Sequence, residues 1–296
     1  MSSPAFPIDV TGVGVFALSN APSALLLARG SQALSQALGE VPVVQRCCVV
    51  GGPGRLAGDD ATRVASFHSL VSESSVNLLV AARGGFGVTR ILQDLDFEAL
   101  RRSGKALCGY SDVSALLLAA WTRGCRRLIH GPMVCSSWSR DPQEPSFQIE
   151  RDSFLEVLQG RWHFDALDAS PRVLKSGVAE GPVIPMNLTM LISLLGTPFQ
   201  PDLTGTILVL EDVSEPAHAI QRMLVQLRSA GILKQLAGLV FADFSQGEDA
   251  EYLPGIFREA AEWTPGPVLA GYPLGHCHPS RACHFGGHVT LSLRGK

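Results

Sequence analysis

The sequence predicts an α/β protein built on a parallel sheet, because short apolar runs alternate with helical patterns along the chain. Residues 76–82, VNLLVAA, form an apolar run that ends in the glycine-rich turn RGGFG, and residues 106–110, ALCGY, form another. Residues 112–123 follow directly with apolar side chains spaced by three and four, the pattern of a helix with one buried face. Residues 128–130 indicate the start of a further strand.

The second half of the chain continues in the same way. Gly196 and Pro198 end one predicted helix, and Ser214, Glu215 and Pro216 supply the cap, acid and proline expected where the next one begins. The predicted strands are residues 177–183, 206–210, 236–242 and 289–293, and the predicted helices are residues 187–195 and 214–230.

Residues 136–171 differ from the rest of the chain. They carry Ser, Arg, Asp, Pro and Trp without a sustained period, which indicates a connector with irregular structure. We therefore predict an N-terminal α/β domain over residues 1–140, a connector over residues 141–175 and a C-terminal domain over residues 176–296.

Composition excludes several classes of protein. The 24 Lys and Arg against 27 Asp and Glu give a net charge of −3, whereas a nucleic-acid-binding surface brings an excess of basic residues. No window reaches the roughly 18 apolar residues of a membrane-spanning helix. The N-terminus lacks the pattern of a signal peptide, and the seven cysteines are odd in number without a CxxC pair. We expect a cytoplasmic protein with neither nucleic acid nor membrane as a partner.

Ser111 is the candidate nucleophile. It lies where the strand ALCGY turns sharply into a helix, which pushes its side chain out of the sheet and places it beside unpaired N–H groups at the helix N-terminus. The Asp112 N–H is one expected oxyanion donor, and the turn at Gly84 and Gly85 is the expected source of a second. The alternative is that Ser111 or Asp112 simply caps the helix.

A nucleophilic serine needs a base and an acid that orients the base. Four of the eight histidines lie in residues 275–288, GHCHPSRACHFGGH, and His130 after a predicted strand is the other candidate base. Glu211 and Asp212 follow a strand, at the edge where α/β proteins build their sites. Chemistry alone leaves Glu211, Asp212 and Glu215 open as the acid.

A metal site is the competing interpretation of the histidine-rich segment. Six potential ligands occur within 13 residues, and zinc sites use such groups. Their spacing matches no zinc motif, and adjacent ligands on a regular backbone point apart. The six residues are His276, Cys277, His278, Cys283, His284 and His288.

Several segments together resemble the LD-carboxypeptidase family, which includes the muramoyltetrapeptide carboxypeptidases and the microcin-immunity peptidases. The resemblance runs in order from about residue 56 to residue 286. It is carried by LAGDDATRVASF (residues 56–67), AARGGFGVTRIL (81–92), ALCGYSDVSALLLAAW with IHGPM (106–133), LLGTPFQPDLTGTILVLEDVSEPAHAIQRMLVQL (194–227) and GYPLGH (271–276).

The resemblance implies a catalytic triad of Ser111, Glu211 and His276, with oxyanion donors at Gly85 and Asp112. It also implies a Rossmann-like parallel-sheet domain followed by a C-terminal α/β domain with a small β-barrel-like core, in a homodimer. The implied reaction is hydrolysis of an L-to-D peptide bond in a small peptide, releasing terminal D-Ala from murein tetrapeptide during cell-wall recycling. No cofactor and no metal are implied.

Two residues are predicted to bind substrate. The Arg83 guanidinium is suited to the terminal carboxylate, although it can equally brace its own turn. Asn187 ends Pro185-Met186-Asn187, where the family has GGN, and a second departure follows His276 over residues 277–285. Three alternatives stay open: a serine hydrolase of peptidyl- or aminoacyl-nucleotides, a zinc-dependent hydrolase, and a peptide-binding relative without catalysis.

Overall fold

The computed structural model describes residues 5–46, 55–164 and 172–294. The chain divides into two units, one formed by residues up to 162 together with residues 281–284, and one formed by residues 163–280 together with residues from 285 onward. Within the described ranges, no helix combines the length and the apolar character that a membrane crossing requires.

The first unit contains six strands and six helices among its described residues. The strands are β1 (Val13–Phe16), β2 (Val43–Arg46), β3 (Leu78–Ala81), β4 (Ala106–Gly109), β5 (Leu128–His130) and β11 (Cys283–His284). The helices are α1 (Ala24–Ala37), α2 (Asp60–Ser72), α3 (Val88–Ile91), α4 (Phe97–Ser103), α5 (Val113–Thr122) and α6 (Pro145–Leu158).

These strands form one sheet in the order β11-β5-β4-β3-β1-β2, parallel throughout except for β11, which pairs antiparallel with β5. Every residue of β1, β3, β4 and β5 is buried. Helices cover both faces of such a sheet, so its central strands are continuous apolar runs. The strands predicted near residues 76–82, 106–110 and 128–130 are therefore confirmed, as is the helix that follows β4.

The second unit is built on a second six-stranded sheet. Its strands are β6 (Arg172–Lys175), β7 (Gly177–Asn187), β8 (Ile207–Val213), β9 (Gly238–Ser245), β10 (Val268–Ala270) and β12 (His288–Leu293), and its helices are α7 (Leu188–Leu194), α8 (Ala217–Ser229) and α9 (Leu253–Glu262). The strand order is β12-β7-β8-β9-β10-β6, with a parallel centre and antiparallel edge strands β12 and β6. This curled half-barrel, with the parallel sheet of the first unit, confirms the predicted fold class.

The parallel strands place loops of interest at one edge of each sheet. In the first unit, the carboxyl ends of β1, β3 and β4 lead into residues 17–20, 82–87 and 110–112. In the second unit, β8 ends at Val213 and the loop after β10 contains residues 271–276. Ligands of open α/β sheets bind at this edge, so the topology indicates that functional residues lie in these loops.

The prediction of an irregular connector was wrong for residues 145–158. They form α6, and a π-helical turn, Val134–Trp138, overlaps the start of the segment predicted to be irregular. Residues 172–175 of the predicted connector form strand β6 of the second unit. The helix was missed because its buried face carries two polar residues: Glu150 pairs with Arg140 at 2.9 Å and the Ser153 hydroxyl accepts from the Ala282 N–H at 3.0 Å. Residues 165–171 of that connector lie outside the described residues.

Close packing of α1 generates a prediction about glycine. A Cβ on Gly30 would lie 2.0 Å from the Val134 carbonyl oxygen, whereas a Cβ on Gly255 in α9 would meet nothing within 4 Å. We expect Gly30→Ala to lower the free energy of unfolding by about 2 kcal/mol through overpacking. Gly255→Ala is the matched control and should raise it by roughly 0.5 kcal/mol, because alanine restricts the unfolded chain. Urea denaturation measures both, and equal effects of the two substitutions would contradict the packing argument.

Candidate active site

Ser111 occupies a strained backbone position between β4 and α5. Its φ is 62°, in the left-handed region that residues other than glycine rarely adopt, and its side chain is half-buried. Such strain persists only where the surrounding structure enforces it, and the sharp strand-to-helix turn of hydrolase nucleophiles has this form. Asp112 is the N-cap of α5, but its side chain makes no capping hydrogen bond, so the side-chain capping alternative is wrong for Asp112.

The glycine-rich turn after β3 packs directly against this serine. A Cβ on Gly84 would lie 2.8 Å from Ser111 Cβ and 2.9 Å from Ser111 Oγ, so only glycine permits the approach. Gly85 has a φ of 125°, and a Cβ there would lie 2.6 Å from Asn20 Cγ. The turn predicted to supply an oxyanion donor is therefore a neighbour of Ser111, while the donor roles of Gly85 and Asp112 stay predictions.

Arg83 begins the same turn and is exposed. Its Nε donates a hydrogen bond of 3.3 Å to the carbonyl oxygen of Gly84, which is the bracing contact weighed against substrate binding. This long hydrogen bond uses one of five guanidinium N–H groups. The binding of a substrate's terminal carboxylate by Arg83 stays a prediction.

In the second unit, Glu211 and His276 form a short hydrogen-bonded pair. His276 Nδ1 lies 2.6 Å from Glu211 Oε2, Glu211 is completely buried, and the His276 side chain is 18% exposed. Gly275, with a φ of 115°, makes this approach possible, because a Cβ there would lie 2.7 Å from Glu211 Oε2. Among the candidate acids, Glu211 is therefore the one bonded to His276.

Asp212 has a different task. Its carboxylate accepts hydrogen bonds from the Thr189 N–H at 2.9 Å, the Thr189 hydroxyl at 2.8 Å and Asn187 Nδ2 at 3.1 Å, and so fixes the start of α7 to β8. The register of β8 against β9 shifts between Leu210 and Asp212, which is where the polar residues begin. Glu211 and Asp212 thus lie inside β8, which ends at Val213, three residues beyond the predicted end of the strand at residue 210.

The pKa values of Glu211 and His276 are both raised above their ordinary values. Burial raises the pKa of Glu211, although the His276 hydrogen bond opposes this. Burial alone lowers the pKa of His276, but the hydrogen bond and charge of Glu211, with the charges of Asp212 and Asp243, outweigh it and raise the pKa above its ordinary value. With Nδ1–H donated to the carboxylate, Nε2 is the ring nitrogen that can accept a proton.

Asn187, the other predicted substrate-binding residue, is an N-cap. Its Oδ1 accepts from the Met190 N–H at 3.1 Å, at the start of α7, and its Nδ2 donates to Asp212. The side chain is buried, and its hydrogen bonding opposes, with that of His276, the rise that burial causes in the pKa of Glu211. The structure brings Asn187 to the Glu211 pair, and its contact with substrate stays a prediction.

The histidine- and cysteine-rich segment is dispersed over several structural contacts. His284 Nε2 lies 3.1 Å from the Arg126 carbonyl oxygen, and its ring packs edge-on against Phe6 and Trp162. Cys283 is buried in β11, while His288 is exposed on β12. In the described part of the chain, no three His, Cys, Asp or Glu side chains are placed to hold a metal ion.

His130, the second candidate base, is buried within β5. Its backbone pairs with Gly109 of β4, and its ring centroid lies 5.7 Å from that of Tyr110 at a tilt of 46°. It belongs to the packed interior behind the nucleophile turn, whereas His276 has an acid partner and a solvent-accessible edge.

A buried acid–histidine pair, present in the second unit, and a serine at a strained strand-to-helix turn, present in the first, are each features that acyl-transfer hydrolases use. Comparison with known proteins agrees. The chain belongs to the LD-carboxypeptidase family: its residues 13–131 match the LD-carboxypeptidase N-terminal domain and its residues 180–291 match the C-terminal domain. The predicted family is thereby confirmed, and with it a hydrolase of peptides.

Three known proteins illustrate the similarity. A probable murein peptide carboxypeptidase of Bacillus subtilis is 32% identical over 82% of this chain and 77% of its own length. The crystal structure of the muramoyltetrapeptide carboxypeptidase from Oxalobacter formigenes has a TM-score of 0.82 at 29% identity, covering 96% of each chain. The microcin C7 self immunity protein MccF, in complex with aspartyl sulfamoyl adenosine, has a TM-score of 0.86 at 21% identity, covering 98% of this chain and 96% of its own, and shows the shared fold.

Sequence reasoning missed residues that hold the site together. Arg63 and the Asp112 side chain bind the loops around Ser111, and Gly275 makes room for the Glu211 pair. Arg63 lies in the AG-D-x-x-R segment, which was visible in the sequence, but a buried role for its guanidinium was not. Nothing in the sequence distinguished Gly275 from other loop glycines.

The pKa shifts of two histidines, His276 and His284, generate a spectroscopic prediction. The pKa of His276 should lie above 6.5, and burial should hold the pKa of His284 below it. Glu211→Gln removes the charge that raises the pKa, so the pKa of His276 should then fall while that of His284 stays unchanged. NMR titration of the histidine ring resonances measures both. An unchanged pKa of His276 in Glu211→Gln would contradict the electrostatic role of the pair.

Proposed function

We propose that this protein is a serine-type LD-carboxypeptidase that releases terminal D-Ala from murein tetrapeptide by cleaving the L-to-D peptide bond. The observation that carries the proposal is the 2.6 Å contact between His276 Nδ1 and the buried Glu211 carboxylate, since it presents Nε2 as a base. The similarity to murein peptide and muramoyltetrapeptide carboxypeptidases supports the substrate class.

The mechanism follows from the chemistry of these groups. Glu211 fixes the tautomer of His276, whose Nε2 takes the proton of Ser111 Oγ as this oxygen attacks the scissile carbonyl. The backbone N–H groups of Gly85 and Asp112 stabilise the oxyanion. The tetrahedral intermediate expels the D-Ala amine, which receives the proton from Nε2, and a water molecule activated by the same nitrogen then hydrolyses the acyl-enzyme.

The setting of this activity is also a proposal. The family resemblance supports a homodimer that acts in the cytoplasm on small peptides of cell-wall recycling. No cofactor, metal, nucleic acid or membrane enters the proposed reaction.

A second candidate is hydrolysis of an aminoacyl- or peptidyl-nucleotide. It is favoured by the shared fold with the microcin C7 self immunity protein, whose complex holds aspartyl sulfamoyl adenosine. Turnover of murein tetrapeptide and of an aminoacyl-nucleotide phosphoramidate, measured side by side, separates the two. We expect kcat/KM to favour the tetrapeptide; a preference for the nucleotide would replace the first candidate by the second.

The triad itself is tested by substitution. Ser111→Ala, His276→Ala and Glu211→Gln should each lower kcat for D-Ala release, by roughly 10³-fold or more for the first two, because triad members act as one unit. His288→Ala, an exposed histidine on β12, is the matched control and should keep full activity. D-Ala release is followed by chromatography. Full activity in Ser111→Ala, or activity lost on chelation, would contradict the serine mechanism.

Arg83 is tested through binding. Arg83→Ala should raise KM for the tetrapeptide about 10- to 100-fold, because a guanidinium–carboxylate pair is lost, with a smaller effect on kcat. Arg102→Ala, an exposed arginine at the end of α4, is the control. An unchanged KM in Arg83→Ala would leave Arg83 with its bracing contact alone.

A further inference from the structure

The Asp112 carboxylate ties together three loops of the first unit. It is buried, and its Oδ2 accepts hydrogen bonds from the Ser19 hydroxyl at 2.6 Å and from the Val88 N–H at 3.0 Å. Ser19 follows β1, Val88 follows the glycine-rich turn after β3, and Asp112 itself follows β4. One carboxylate thus joins the carboxyl ends of three neighbouring strands.

Arg63 binds the same loops from α2. Its side chain is fully buried, and its Nη1 donates to the carbonyl oxygens of Leu18 and of Gly87, the latter at 2.9 Å, while Nη2 pairs with Asp60. Gly87 has a φ of 136°, and a Cβ there would lie 2.8 Å from Arg63 Nη1. The guanidinium therefore holds residues 18 and 87, next to residues 19 and 88, which the Asp112 carboxylate holds.

Stabilisation of the fold is a weak explanation for burying the Asp112 carboxylate and the Arg63 guanidinium. Burial raises the pKa of Asp112, and the Ser19 hydrogen bond and the Arg63 charge only oppose this. Removing ions from water is unfavourable enough that buried ion networks are weak evidence for stabilisation. The effect of the network is local: Gly87 ends the turn that contains Gly84 and Gly85, Val88 directly follows it, and Ser111 directly precedes Asp112.

We propose that the Asp112 side chain and Arg63 are positioning residues, which hold the turn of Gly84 and Gly85 at the separation from Ser111 that oxyanion stabilisation requires. This inference rests on the proposed serine mechanism. It assigns no proton transfer to Asp112; the carboxylate acts through the backbone that it fixes. A purely structural network would instead stabilise the first unit without affecting the reactivity of Ser111.

The test compares reactivity and stability in the full-length chain. Asp112→Ala removes the acceptor of both hydrogen bonds, so kcat should fall about 10²-fold with KM changed less than about threefold, as for loss of one oxyanion donor. The second-order rate of Ser111 labelling by a small fluorophosphonate should fall by the same factor. Asp112→Asn keeps one oxygen for Ser19 and Val88 and should recover about 10-fold of the loss.

Asp96→Ala is the matched control. Asp96 also accepts a backbone N–H, from Ala99 at 2.8 Å, but it caps α4 rather than a loop beside Ser111. It should lower the melting temperature while labelling stays at the parent rate. Ser19→Ala covers the case in which Asp112→Ala fails to fold, because it deletes a single hydroxyl donor; labelling should fall about 5- to 10-fold.

The possible outcomes distinguish failure of the proposed serine mechanism from failure of the positioning role alone. A parent protein that fluorophosphonate does not label at Ser111 overturns the proposed function and this inference with it. A parent that is labelled, with Asp112→Ala or Ser19→Ala labelled equally fast, overturns the inference alone. Slower labelling of Asp112→Ala and Ser19→Ala with an unchanged KM, together with labelling of Asp96→Ala at the parent rate, supports the positioning role.

Discussion

The hydrogen bond between Glu211 and His276 constrains the whole carboxyl edge of the second sheet. A fully buried carboxylate without a partner costs several kcal/mol, so the strand that carries it and the loop that carries its partner must meet accurately. The register of β8 against β9 shifts at Glu211 itself, and the glycine at position 275, with its positive φ, lets the loop approach the Glu211 carboxylate. Asp212, the next residue, faces away and is satisfied separately by Asn187 and Thr189.

In the first unit the energetically costly feature is backbone strain at Ser111, whereas in the second unit it is the buried charge of Glu211. Ser111 has a φ of 62°, a conformation that costs about 1–3 kcal/mol and persists only where the surrounding structure enforces it. The surroundings here are Gly84 in contact with Ser111 and the Asp112 carboxylate bonded to two other loops. In each unit, therefore, an energetically costly group is held in place by its neighbours at the carboxyl ends of parallel strands.

The sequence predicts those parts of the structure that depend on local pattern. Strands β3, β4 and β5 were visible because buried parallel strands are continuous apolar runs. Helix α6 was hidden because Glu150 and Ser153 interrupt its apolar face, and the partner of Ser153, the Ala282 N–H, lies 129 residues away in the chain. The choice between Glu211 and Asp212 was hidden for a related reason, since neighbouring strand residues face opposite ways and only the loop from β10 distinguishes them. Family resemblance supplied that choice where pattern could not.

The two departures from the family pattern have different structural meanings. Pro185 and Met186 lie within β7, and Met186 is fully buried, so this change repacks the interior beside β8. Residues 277–280 are half-buried or exposed and directly follow His276, where a change alters the surface near the base. Because the Met186 side chain is fully buried, whereas residues 277–280 reach the surface directly after His276, the departure after His276 is the one better placed to change substrate preference. Replacing residues 277–279 should therefore alter specificity while leaving the Glu211–His276 pair intact, since that pair depends on β8 and on Gly275, whose N–H donates to the retained Ser280 hydroxyl at 3.0 Å.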